Sequence, residues 1–209
     1  MHVIIIFFCI ITYITTTLAI ENTIYSNKLN SCKVTTPAIN DYEPENFAST
    51  NNLLRNTGAQ PVFCGTRIVI KGKVLDENCV PVADAKIYLW QVGCDAKYPY
   101  QPLRNRINPK LLNLANESSF TGSGIATSNN KGEFVFVTIY PPSLANEKSH
   151  LNFRVEHYAL GTLQTKFYLS NIHIAEGVAD GALLGSSAVE DSRIYEVDII
   201  VPGQINKRY

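Results

Sequence analysis

The chain has 209 residues, enough for one ordinary domain plus an extension. Its composition, 45% hydrophobic and 17% charged, is that of a globular protein. Eighteen basic and eighteen acidic residues cancel, so no polycationic field exists to hold nucleic acid or an anionic membrane surface.

Taken in chain order, Val3–Ile20 (VIIIFFCIITYITTTLAI) is an apolar run without a charge. About 18 to 20 such residues can cross a bilayer, and shorter runs form signal-peptide cores. Thr17-Leu18-Ala19 offers small residues at the two positions a signal peptidase reads, although a basic n-region is missing. Residues 1–20 read as a signal peptide or an N-terminal membrane anchor, with a buried core helix as the remaining alternative. Either main reading places the rest of the chain outside the cytoplasm, in a periplasm, at a membrane or in the medium.

Cys9 lies in that run, which leaves Cys32, Cys64, Cys79 and Cys94, an even number in an exported domain. Two disulfides in any of three pairings, or four free buried thiols, are both compatible with this. No CxxC occurs, so a zinc ribbon is not supported.

Residues 21–60 are rich in Asn, Thr and Ser, with Pro37 and Pro44, and keep no period; they read as a linker with a helical turn near Asn52–Arg55. From Arg67 the strand signals begin, and residues 61–209 form the main domain. Ile68 and Ile70 alternate with Val69 and Lys71. Asp76-Glu77-Asn78 and Pro81 are turn chemistry between two apolar runs. Ala85, Ile87 and Leu89 then share one face, with Lys86, Tyr88 and Trp90 on the other. Gly93 breaks this strand, and Tyr98 follows eight residues after the only Trp. Pro99–Ser119 reads as a long loop with a short helix at Pro109–Ala115. Glu133–Ile139 is apolar on both faces and reads as a central strand. In the next strand Leu151, Phe153 and Val155 oppose His150, Asn152, Arg154 and Glu156. A strand at Leu163–Leu169, a loop or short helix at Asn171–Ser187, and a last strand through Tyr195, Val197, Ile199 and Val201 complete the chain. Seven or so short strands with little helix predict an all-β fold, an antiparallel two-sheet β-sandwich with long loops, preceded by an N-terminal hydrophobic segment.

A strand, a Pro-Val turn, a strand ending in Trp90-Gln91 and Tyr98 beyond it resemble the intradiol ring-cleavage dioxygenases of the catechol and protocatechuate type. Thr121-Gly122, Thr138-Ile139-Tyr140-Pro141 and Ser149-His150-Leu151-Asn152-Phe153 continue the resemblance in order, over roughly Asn52 to Val201. It implies a non-haem ferric iron cofactor held by two tyrosinates and two histidines, a small aromatic diol as substrate and O2 as co-substrate. Anionic phenolate oxygens suit hard Fe(III). A homo-oligomer is compatible with it. Tyr98 matches the first Tyr ligand and His150 the first His. The second His position is Asn152 and the second Tyr position is Leu144, so these two expected ligands are absent. The substrate-side Arg is replaced by Glu147, which reads as an acid–base group or a solvated loop charge. Tyr100, Tyr140, His157 and His173 are nearby substitutes in sequence, although His157 falls on the Leu151 face and points away from His150. Cys94 is excluded as a ligand because thiolates suit softer ions. The alternative function is an exported, non-catalytic β-sandwich binding module that has kept the fold and lost the iron site.

Overall fold

The computed structural model describes residues 31–40, 42–55, 63–104, 107–115, 117–145, 147–171, 173–175 and 193–205. The apolar run 3–20 and the segment 176–192, with most of the loop or short helix expected at Asn171–Ser187, lie outside the described residues. The fold that follows belongs to the unit Cys32–Tyr209. Among the described residues no helix is long and apolar enough to cross a membrane.

Among the described residues eight strands build two sheets: β1 (Arg67–Leu75), β2 (Lys86–Trp90), β3 (Ser123–Thr127), β4 (Glu133–Ile139), β5 (His150–His157), β6 (Gly161–Tyr168), β7 (His173–Ala175) and β8 (Arg193–Ile200). The orders are β4-β1-β8-β7 and β3-β2-β5-β6. Their inner faces follow the period of two. Ile68, Ile70 and Val74 of β1, Ile87 and Leu89 of β2, Phe134 and Phe136 of β4, Leu151, Phe153 and Val155 of β5, and Tyr195, Val197 and Ile199 of β8 form one core. The expected sandwich is therefore present. All strand pairs are antiparallel except β1 with β8, which run parallel.

The structure corrects the reading of Glu133–Ile139 as a central strand. β4 is the edge of its sheet, paired with β1 alone. It is buried along most of its length, and Asn51–Leu53 runs along its free edge. Leu53 N–H donates to the Val137 carbonyl, and Val137 N–H to the Asn51 carbonyl. The same segment binds the edge of β3, where Ile125 N–H donates to the Thr50 carbonyl. It closes the open side of the sandwich between two strand edges.

Gly124 makes this closure sterically possible. A Cβ there would lie 2.3 Å from the Thr50 carbonyl oxygen and 2.8 Å from Leu53 Cδ1. Backbone cannot yield as a flexible side chain can, so Gly124→Ala is expected to cost about 1–3 kcal/mol. The check is a lower urea midpoint at unchanged slope.

Residues 32–47, read from the sequence as part of a linker, carry no strand yet are bonded into the sandwich. Cys32 is joined to Cys79 in the β1–β2 turn, with Cα atoms 5.3 Å apart. Thr35 N–H donates to the Ile200 carbonyl, Thr165 Oγ1–H to the Thr36 carbonyl and Ala38 N–H to the Gln164 carbonyl. The segment thus passes the edge strand β6 and reaches the outer face of the second sheet. Buried Asp76 organises the turn at its anchor, accepting from the backbone N–H groups of Asn78, Val80 and Ile205. The second disulfide, Cys64–Cys94, ties the loop after β2 to the chain just before β1, with Cα atoms 5.9 Å apart. Of the three pairings open in the sequence, the fold takes 32–79 with 64–94.

A candidate metal centre on the outer face of the second sheet

The strand pattern places one row of side chains outward at the Tyr98 end of the second sheet. Trp90 of β2 lies opposite Asn152 of β5, and Asn152 opposite Lys166 of β6. His150 lies opposite Tyr168. The family-like residues are on this outer face beside the strand ends, outside the core between the sheets.

Tyr98 is reached through a turn in which Gly93 N–H donates to the Lys97 carbonyl and Ala96 takes a φ of 59°. Its backbone is held on both sides by the returning loop: Tyr98 N–H donates to the Leu111 carbonyl and Asn113 N–H to the Tyr98 carbonyl. The short helix expected at Pro109–Ala115 is one 3-10 turn, Pro109–Leu111, capped by Asn108. The Tyr98 ring is buried, stacked on Tyr42 at 4.6 Å between centroids and tilted against Tyr100 at 5.7 Å. Burial pushes its phenol up to about 12; an Asn40 hydrogen bond opposes this, while Glu147 and Tyr42 add to it.

His150 is buried at the start of β5. Its Nδ1 faces the Lys148 carbonyl at 2.9 Å, so this nitrogen carries the hydrogen and Nε2 is left as the acceptor. Nε2 faces Glu147 Oε2 at 3.7 Å, longer than a hydrogen bond. Burial lowers the pKa of His150, the Lys148 carbonyl and Glu147 oppose this, and Lys166 lowers it further.

Glu147 is no solvated loop charge. It accepts at Oε1 from Lys166 Nζ and, at 3.3 Å, from the Tyr168 hydroxyl. Burial would raise its carboxyl, but the Lys166 hydrogen bond, the charges of His150 and Lys166, and the Tyr168 hydroxyl outweigh it and hold the group below its usual range. Its carboxylate acts on both Tyr98 and His150 and so links the two candidate ligands electrostatically.

The two replaced positions have other work. Asn152 accepts at Oδ1 from Asn40 Nδ2 at 2.8 Å and donates from Nδ2 to the Trp90 carbonyl at 3.2 Å. Leu144 packs against the Trp90, Val92 and Tyr98 cluster. Of the proposed substitutes, Tyr100 stands in this cluster and donates to the Tyr42 carbonyl. Tyr140 is turned to Tyr195 of the other sheet. The His157 ring contacts Tyr158 at the far end of β5, and the His173 backbone pairs with β8 in the first sheet.

Asn40, Tyr42, Lys166 and Tyr168 went unnoticed in the sequence. The first two sit in a segment without period, where nothing marks a chain that folds back. The last two were legible in principle as the outward face of β6, opposite Asn152 and His150. Glu43 of the same segment also pairs with Arg154, whose guanidinium lies 4.2 Å above the Tyr88 ring.

Among the described residues no three His, Cys, Asp or Glu side chains come together. The donors that remain nevertheless suit a hard cation. His150 presents Nε2 from a ring oriented by its other nitrogen, the usual posture of a metal-binding imidazole. That nitrogen faces a carboxylate oxygen, two acceptors across a gap too long for a hydrogen bond. Tyr98 adds a phenolic oxygen. The set is smaller than two tyrosinates and two histidines.

No family model matches the sequence. A "Putative dioxygenase" of Rickettsia felis is 45% identical over 97% of this chain and 98% of its own length, and one of Rickettsia bellii is 48% identical with the same coverage. A "Protocatechuate 3,4-dioxygenase beta chain" of Burkholderia cepacia is 29% identical over 48% of this chain and 38% of its own length. Among solved structures, an intradiol ring-cleavage dioxygenase from Tetranychus urticae superimposes with a TM-score of 0.59 at 15% identity, covering 84% of this chain and 98% of that one. A 3-chlorocatechol 1,2-dioxygenase from Rhodococcus opacus gives 0.52 at 15% identity, over 89% of this chain and 78% of that one. The sandwich, the order of its motifs and the relatives agree, and the chain belongs to the intradiol ring-cleavage dioxygenase family.

Proposed function

We propose that this protein is an exported, iron-dependent dioxygenase that opens catechol-type aromatic rings with O2 at the Tyr98–His150 centre. The observation that carries this reading is the posture of His150, with Nδ1 committed to a backbone carbonyl and Nε2 turned to the Glu147 carboxylate, whose charge also acts on the buried phenol of Tyr98. Ferric iron, when bound, supplies the Lewis acidity that draws a diol in as its dianion and the electronic path from the ring to O2. The protein's own part is to donate, exclude water and place charge. Burial of Tyr98 against Tyr42 keeps solvent from its oxygen. Lys166 provides a cation on this face, where the resemblance implies an Arg and the chain has Glu147. A groove of about 390 Å³ lined by Phe47, Pro99, Tyr100 and Phe120 adjoins the aromatic cluster, although Tyr98, Glu147 and His150 do not line it. Export, with residues 1–20 as leader or membrane anchor, is supported by the two disulfides.

A second reading is favoured by one observation: Asn152 spends both ends of its amide on Asn40 and Trp90, and Leu144 fills the apolar cluster. On it, the sandwich binds a ligand or partner without iron. Metal content and the visible spectrum of the purified chain decide between the two. The dioxygenase reading expects bound iron, a tyrosinate-to-iron absorption band and O2 uptake with catechol. Tyr98→Phe should abolish the band while keeping the ring's packing. Leu144→Tyr with Asn152→His should strengthen it. An iron-free, colourless wild type leaves only the second reading.

A further inference from the structure

Glu147 stands at a position where the family resemblance implies a cation, and its surroundings treat its two oxygens differently. Oε1 takes both available donors, Lys166 Nζ and the Tyr168 hydroxyl. Oε2 is turned to His150 Nε2 at 3.7 Å. On the other side of His150, Nδ1 is occupied by the Lys148 carbonyl. One acceptor of each group is tied down and the remaining one faces its counterpart. Two ligand atoms of one metal ion stand at about this separation, since each lies roughly 2.0–2.2 Å from the ion. Glu147 is also joined to the position that has lost its tyrosine: Glu147 N–H donates to the Leu144 carbonyl at 3.1 Å, and the two residues form a β-bridge. Leu144 packs on the cluster that contains Tyr98. The turn that no longer supplies a phenolate therefore presents a carboxylate three residues later.

We propose that Glu147 is a metal ligand, its Oε2 supplying the anionic oxygen lost at Leu144, so that the cation is held by Tyr98, Glu147 and His150. The chemistry is consistent with a hard trivalent ion, which prefers anionic oxygen to neutral amide. Lys166 and Tyr168 become orienting partners, holding Oε1 so that Oε2 stays directed at His150. Asn152 is excluded from the set because Asn40 and Trp90 already satisfy it. This inference rests on the iron-dependent reading above and changes the identity of the donors.

The test is metal binding, read without turnover. The purified full chain is stripped with chelator and titrated with Fe(III) supplied as its nitrilotriacetate complex. Bound iron is measured by elemental analysis and the charge-transfer band by absorption. Wild type is expected to bind one equivalent. Glu147→Gln, close in shape, should bind at least about tenfold more weakly, because even an outer partner of a metal ligand is worth that much. Leu144→Tyr in the Glu147→Gln background should restore binding, because it returns an anionic oxygen to the same turn. A thermal melt of each variant separates loss of the ligand from loss of the fold. If Glu147→Gln unfolds, Glu147→Asp keeps the charge, shortens the reach and must still weaken binding. Equal iron affinity in wild type and the folded Glu147 variant overturns the ligand role and leaves the dioxygenase reading intact. A wild type that takes up no iron overturns both.

Discussion

Removing the Cys32–Cys79 disulfide, as Cys32→Ser with Cys79→Ser, is expected to cost about 2–4 kcal/mol and to lower Tm by roughly 5–15 °C. The bond closes a loop between residues 47 apart in sequence, so in its absence the unfolded chain gains much freedom. The second bond, Cys64–Cys94, spans 30 residues, and loop entropy alone puts the two within a few tenths of a kcal/mol. Their local consequences differ. Cys32 anchors the segment that lays Asn40, Tyr42 and Phe47 over the site. Without it, residues 33–47 are held only by scattered hydrogen bonds, the Glu43–Arg154 pair and ring contacts. The double serine variant should therefore be cut by chymotrypsin at Tyr42 or Phe47 well before the rest of the sandwich opens. Loss of Cys64–Cys94 should instead loosen the loop that carries Tyr98. Rapid alkylation of all four thiols in native, unreduced wild type would show that neither bond forms and remove the basis of this expectation.

Most of the sandwich was legible because its strands obey the period of two. Leu151, Phe153 and Val155 were assigned inward and His150, Asn152, Arg154 and Glu156 outward from alternation alone, and the core has the first three. β4 shows where alternation misleads: burial on both faces reads as a central strand, but here the cover on one edge is a segment without secondary structure. The parallel pairing of β1 with β8 joins residues more than 100 apart, and nothing local in either strand encodes direction. The candidate centre was half legible. Tyr98 and His150 are fixed by spacing from Trp90 and by a strand start. Glu147 appeared only as a departure from a pattern, because its meaning lies in Lys166, Tyr168 and His150, which reach it across β5 and β6. Asn40 and Tyr42 were invisible, since a polar stretch with two prolines looks the same whether it trails in solvent or is pinned by a disulfide.

The buried phenol of Tyr98 should make the metal-free protein lose stability steeply above pH 10. In the unfolded chain a tyrosine gives up its proton near the ordinary value of 10.0, whereas in the folded chain Tyr98 holds it to about 12. Below pH 10 both states keep the proton and the full contribution is present. Between 10 and 12 the unfolded state binds fewer protons than the folded one, so stability falls as pH rises. The gap corresponds to roughly 2–3 kcal/mol for this one buried group. Tyr100, raised by burial and by the neighbouring Tyr98 and Glu43, acts in the same direction. Tyr98→Phe loses the hydrogen bond from Asn40, which costs about 1 kcal/mol at neutral pH, but it also removes the titrating oxygen. Urea melts from pH 8 to 12 on chelator-treated protein should therefore show two curves that converge, with wild type more stable at pH 8 and its advantage shrinking through pH 11. Parallel curves would mean that the Tyr98 oxygen titrates alike in the folded and unfolded chain, so that burial does not hold its proton. The same melts with Fe(III) added carry the opposite sign of effect for a phenolate ligand, because a bound cation favours the deprotonated oxygen and stabilises only the folded state. Iron should then flatten the wild-type curve above pH 10 and leave the slope of Tyr98→Phe, which has no oxygen to titrate there, little changed.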